Sequence, residues 1–206
     1  MTTDLLQQQL FGTVEGYSLS SLGKSRIGRD GDPALTYGEC TPGAVEEILC
    51  AVDAKPGEVF YDLGSGTGKM VIYAAFLVPL KKSAGIELLP ELHQAALDVG
   101  AHYDAAVRPH LSDAHQQTQI HFRQGDIFAE DFTDADIVVN HCCTCFDDAL
   151  MQKFEESLST LKPGTRVATI TRGLSSSNFE LTGVSTCQMG WGQATINAYR
   201  KLPTIN

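Results

Sequence analysis

Three acidic residues, Asp62, Glu87 and Asp126, each close an apolar run, and a turn of alternating glycines, Gly64, Gly66 and Gly68, follows the first of them in "VFYDLGSGTGKM". Glycine-rich turns after a strand serve three ligand chemistries, and their spelling separates them. A phosphate-binding loop requires GxxxxGK followed by Ser or Thr. Here Leu63 stands where the first glycine belongs and Met70 follows Lys69, so both ends of that motif fail. The dinucleotide fingerprint GxGxxG meets Lys69 in place of its third glycine, which weakens that reading as well. S-adenosylmethionine fits best. Its zwitterionic amino-acid part can contact Asp62 and the N–H groups of a loop whose glycines admit close approach, and its ribose diol can donate to Glu87. In "QGDIF", Asp126 can accept from the adenine amine while Ile127 covers the ring. Carboxyl ends of strands are where open α/β sheets bind ligands.

Elements of alternating type must hold these groups. "EVFYDL", "SAGIEL", "QIHFRQGDIF", "ADIVVNH" and "TRVATITR" read as five strands, the fourth apolar enough to be buried on both faces. "TPGAVEEILCAV", with Thr41 as N-cap and Pro42 at the first helical position, reads as a helix before the sheet. "KMVIYAAFLV", "PELHQAALDVGAHYDAAV" and "DDALMQKFEESLSTL" read as the helices between strands. "FELTGVSTCQM" and "QATINAYRK" alternate like an antiparallel pair around "GWG". The pattern predicts an α/β fold: the seven-strand, Rossmann-like sheet of class I methyltransferases, mostly parallel, with a C-terminal antiparallel hairpin.

The 206 residues, 43% hydrophobic, suit one well-buried core. Residues 1–35, polar and rich in Gly and Ser, read as a loosely ordered arm, and 36–206 as the methyltransferase domain. The first residues resemble neither a secretory signal nor a transit peptide, and the apolar run Met70 to Leu80 is too short for a membrane span, so an intracellular protein of nucleus or cytoplasm is expected. A net charge of −10 without any Lys/Arg-rich run argues against direct nucleic-acid contact and suits a basic protein partner. Cys142, Cys143 and Cys145 crowd "HCCTCF", yet no second ligand pair faces them, so no metal is expected.

With these residues in hand, the chain resembles the Dot-one (disruptor of telomeric silencing) histone-lysine methyltransferases, which lack a SET domain. "TYGEC" is similar to the family's "YGET", "YDLGSGTGK" to "DLGSGxGQ", "QGDIF" to "RGDF", "VVNH" to "VNN" and "LKPGTRV" to "MKEGGRI", while "WGQATINAY" keeps a Trp eight residues before a Tyr. The likeness spans Leu35 to Arg200. It implies that Asp62, Gly64, Gly66, Gly68, Glu87, Asp126 and Ile127 line the cofactor, with Tyr37, Glu39 and Cys40 or Thr41 closing over its methionine part. It implies that Asn140 lies beside the sulfonium and the incoming amine, a carbonyl that aligns without titrating. Departures fall on the acceptor side: Lys69 replaces a Gln, "NHCCTCF" replaces "NNFAF", and Ala198 replaces one of two tyrosines, leaving Tyr199 as the candidate catalytic aromatic. Phe146, Trp191 and Asn197 are the candidates for the substrate channel. The expected activity is methyl transfer to a protein lysine, possible acceptors including a histone; a small-molecule or other acceptor, and a catalytically silent cofactor-binding partner, stay open.

Overall fold

Val59–Leu63 (β1) is buried at every position, and this five-residue strand is the centre from which the sheet is built. A computed structural model describes residues 2–203, apart from the side chain of Cys143, so that part of the cysteine cluster lies outside the described residues. Lys82–Glu87 (β2), Gln119–Gln124 (β3), Ile137–Asn140 (β4) and Arg166–Ile170 (β5) join β1 in parallel, and the antiparallel hairpin Phe179–Met189 (β6) and Gly192–Lys201 (β7) completes the order β3-β2-β1-β4-β5-β7-β6. All seven strands expected from the sequence form.

Successive residues of β1 point to opposite faces, and the core divides accordingly. Phe60, Ile137, Val139, Ala168 and Ile196 face one apolar layer, whereas Tyr61, Leu63, Val138 and Val167 face the other with Phe154 and Leu158. The first layer is covered by Pro42–Ala51 (α3) and Lys69–Leu77 (α4), together with Pro90–Ala106 (α5); the one-turn Asp113–Gln116 (α6) leads into β3, and Asp148–Leu158 (α7) covers the second layer. α3 begins as expected: the Thr41 hydroxyl accepts from Ala44 N at 3.1 Å and Pro42 sits at the first helical turn.

The first 35 residues differ from the expectation of loose order. Thr3–Phe11 (α1) and Gly16–Arg26 (α2) are helices. Leu6, Leu10 and Phe11 are at most 4% exposed and enter the first core layer, where Phe11 stacks on Tyr73 with centroids 5.9 Å apart. Fully burying such a side chain contributes roughly 1.5–3 kcal/mol, enough to keep a short helix docked. Among the described residues no helix is long and apolar enough to cross a membrane.

Candidate cofactor and acceptor site

β1 leads outward through β2 to β3 in one direction and through β4 to β5 in the other, so the chain reverses its winding between β1 and β4. Such a reversal opens a crevice at the carboxyl ends of the strands. Asp62 pairs in register with Val139, which sets Asn140 level with Leu63, and the Asn140 amide donates to the Leu63 carbonyl at 2.8 Å. The bond ties the tips of the two diverging strands together. A cavity of about 510 Å³ opens above them.

The glycine loop forms one wall. Gly64 and Gly66 have φ of +85° and +54°, the left-handed region that glycine enters without cost. A Cβ at Gly64 would collide with Cys142 Sγ, and one at Gly66 would come within 3.0 Å of the Tyr37 ring. Gly66 N donates to Glu87 Oε2 and Leu89 N to Glu87 Oε1, each at 2.8 Å, so two backbone groups hold the carboxylate at the cavity edge. Burial raises the Glu87 pKa, and these two N–H donors oppose the rise.

Asp62 is 1% exposed, and neither carboxylate oxygen has a hydrogen-bond partner among the described residues. Burial, with the nearby Glu87 charge as a second cause, pushes its pKa up to about 8. His141 lines the cavity with Nε2 3.9 Å from Asp62 Oδ1, and burial pushes its pKa down to about 4. The imidazole is therefore neutral at pH 7, and the contact is no ion pair. A buried acid lacking a donor, beside a neutral ring, suits a cationic ligand group.

Of the residues predicted from sequence, Tyr37, Gly64, Gly66, Glu87, Asp126, Ile127, Phe146 and Trp191 all line this one cavity. Asp62 and Asn140 lie behind its wall at 1% and 0% exposure. The others are engaged elsewhere. Thr41, besides capping α3, donates to the Gln188 carbonyl at 2.6 Å, so its hydroxyl serves the fold. Gly68 starts α4 and approaches the Phe122 ring. Tyr199, 6% exposed, belongs to the second core layer, where its hydroxyl accepts from Leu174 N at 3.0 Å, and Asn197 sits on β7 opposite Thr169. Neither lines the cavity, so the hairpin delivers only Trp191, whose indole edge lies against Gly38. Cys40 is buried at 6% exposure.

Glu39 is held by two partners: Tyr37 OH donates to Oε1 at 3.0 Å and Lys69 Nζ to Oε2 at 2.6 Å. The departure at position 69 thus supplies a largely buried ion pair that fixes the segment over the loop. Lys69→Gln is expected to lower stability by about 1–2 kcal/mol and the melting temperature by roughly 3–6 °C. An unchanged thermal transition would mean that the pair contributes nothing.

Several lining residues were missed. Ser20 and Arg29 come from the N-terminal segment, His141 and Cys142 from the end of β4, and Lys153 from α7, its ammonium 4.2 Å from the centre of the Phe128 ring. His141 and Cys142 stood in the quoted "VVNH" and "HCCTCF", and only their roles went unread. Ser20 and Arg29 carried no motif. Among the described residues no three His, Cys, Asp or Glu side chains gather as a metal site.

Comparison with known proteins agrees with this architecture. The chain is 34% identical over 158 residues to a Caenorhabditis elegans histone-lysine N-methyltransferase specific for H3 lysine 79, a match covering 73% of this chain but 16% of that relative. It is 27% identical over 135 residues to a protein-lysine N-methyltransferase of Saccharolobus islandicus, covering 66% of this chain and 75% of the relative. Among solved structures, an RNA methyltransferase from Salinibacter ruber in complex with S-adenosyl-L-homocysteine superposes with a TM-score of 0.60 at 25% identity, covering 79% of this chain and 92% of that one. The family model described as "Histone methylation protein DOT1" matches residues 32–191, from the segment before "TYGE" to Trp191. The chain belongs to the DOT1 family.

Proposed function

We propose that this chain is an S-adenosylmethionine-dependent methyltransferase acting on a lysine of a protein. The observation that carries the reading is the cavity at the β1/β4 reversal. It combines a left-handed glycine cradle with a carboxylate fixed at its edge, and directly behind its wall lies a buried acid, Asp62, with both oxygens unpartnered. In this reading Asp62 takes the ammonium of the methionine part, Glu87 accepts from the ribose, Asp126 and Ile127 meet the adenine, and Tyr37 covers the loop side. The bound sulfonium supplies an electrophilic methyl group. His141, neutral at pH 7, adds no positive charge against that ligand. Phe128, Phe146 and Trp191 offer an aromatic wall for the methylenes of a lysine, excluding water from the attacking amine.

A protein acceptor is supported by the names of both curated relatives, and a basic one by the −10 charge. The Saccharolobus relative is closer in length to this chain and is named for protein lysine without a histone, so the acceptor class proposed is protein lysine, with histones as one candidate. Lys153 on the cavity wall favours a second reading, an acceptor other than a lysine-rich segment. Transfer of labelled methyl groups to fractionated extract and to core histones, with the acceptor identified by mass, tests both. Label on a protein lysine supports the first; label only on low-mass products overturns it in favour of the second.

Asn140 acts in this scheme by holding the β4 tip beside the transferring methyl. Asn140→Ala is expected to reduce transfer about 100-fold while S-adenosylhomocysteine affinity changes only a few-fold. Single-turnover rates and calorimetry separate the two, and full transfer in the variant would remove Asn140 from the mechanism.

A further inference from the structure

We propose that Ser20, on α2 and outside the stretch matched by the family model, binds the ribose of S-adenosylmethionine from the side of the cavity opposite Glu87. The inference rests on the cofactor reading above and extends the ligand site into the N-terminal helices. Ser20 lines the cavity, is 1% exposed, and its Oγ has no hydrogen-bond partner among the described residues. A buried hydroxyl without a partner is unfavourable, and alanine would fill the same helix position without that cost. A hydroxyl that meets ligand removes the conflict.

The packing of α2 fixes which part of the ligand Ser20 meets. Gly16, Ser20 and Gly23 lie on one helix face and are all buried. A Cβ at Gly16 would come within 2.6 Å of Glu39 Oε1 and 2.8 Å of Tyr37 Cε1, so that end of α2 presses on the segment covering the glycine loop. A Cβ at Gly23 would come within 2.8 Å of Glu91 Oε2 and 3.1 Å of Leu89 Cβ, so the other end presses on the turn after β2. Arg26 adds an ion pair to Glu91 at 2.7 Å. Ser20 lies between these contacts on the same helix face and lines the cavity together with Gly66 and Glu87. Those two are joined by the Gly66 N to Glu87 Oε2 bond, and a ribose diol belongs there. Serine can donate and accept, so it complements a diol whose donors are directed at Glu87.

Titration calorimetry of the full chain with S-adenosylhomocysteine and its 2′-deoxy and 3′-deoxy analogues tests the assignment. Ser20→Ala is expected to weaken S-adenosylhomocysteine about three- to tenfold. The affinity lost on deleting one of the ribose hydroxyls should shrink by a similar factor in the variant. The melting temperature of ligand-free Ser20→Ala should equal or exceed that of the parent, which separates lost binding from lost folding. Affinity within twofold of the parent, or undiminished losses for both deoxy analogues, overturns the proposal while leaving the cofactor reading intact. A parent protein that does not bind S-adenosylhomocysteine overturns both.

Discussion

Asp62→Asn is expected to weaken S-adenosylmethionine binding about 100-fold or more, and at the same time to raise the melting temperature of the ligand-free protein at pH 8. Both effects come from one carboxyl group. In the folded chain burial and the Glu87 charge push its pKa up to about 8, far above the ordinary carboxylate value of 3.8. A carboxyl whose folded pKa exceeds its unfolded one stabilises the fold at low pH. That contribution is complete below about pH 4 and is lost as pH rises through about 8. The loss is on the order of a few kcal/mol. Asparagine fills nearly the same space and does not ionise, so this part of the pH dependence should vanish. The ligand ammonium, which in the proposed function is the missing partner of the two carboxylate oxygens, then meets an amide in place of a charge. Thermal melts from pH 4 to 9, alongside calorimetry with S-adenosylmethionine, read the two effects separately. Parent-like affinity in Asp62→Asn would remove Asp62 from the site, and unchanged pH dependence would contradict its buried ionisation.

The same burial explains what the sequence could and could not reveal. Strands buried on both faces are largely apolar, so β1 and β4 were legible, as was the antiparallel hairpin, although burial alternates along β7 and hardly along β6, most of which is exposed. Acids closing such strands stand out because an isolated buried charge is expensive. This is why Asp62 and Glu87 stand out, whereas Asp126, exposed beyond the half-exposed edge strand β3, is legible only from its place in "QGDIF". The N-terminal helices are hidden in the sequence for a physical reason. Gly16, Ser20 and Gly23 resemble loop composition, yet small residues let α2 approach Tyr37 and Leu89 closely. The hairpin misled in another way. Alternation set Tyr199 on a strand but not on a face, and the fold turned its ring into the core, where Leu174 N binds the hydroxyl. Ser20 and Arg29 reach the cavity only through tertiary docking, which a local pattern does not encode.

Gly64→Ala is the other substitution with a large expected effect, and a second site can separate its causes. Alanine at a φ of +85° carries a left-handed backbone cost of roughly 1–2 kcal/mol. Its methyl would also collide with Cys142 Sγ. The loop cannot shift easily to relieve either, because Gly64 N and Ser65 N both donate to the Ile86 carbonyl, at 2.8 and 3.0 Å. A total destabilisation of about 3 kcal/mol is expected, together with weakened cofactor binding, since Gly64 and Gly66 line the cavity. Cys142→Ala in the same chain removes the collision but not the backbone cost, and should recover about half of the lost stability. Gly66→Ala should cost less: its φ of +54° lies nearer the left-handed minimum, and the Tyr37 ring at 3.0 Å is the edge of a side chain that can give. Denaturant titrations of the three variants and of Cys142→Ala alone complete the cycle. Strict additivity of Gly64→Ala and Cys142→Ala would mean that the Cys142 thiol does not press on the glycine loop, and equal costs at Gly64 and Gly66 would mean that neither the larger φ nor the closer contact at Gly64 adds to the demand for glycine there.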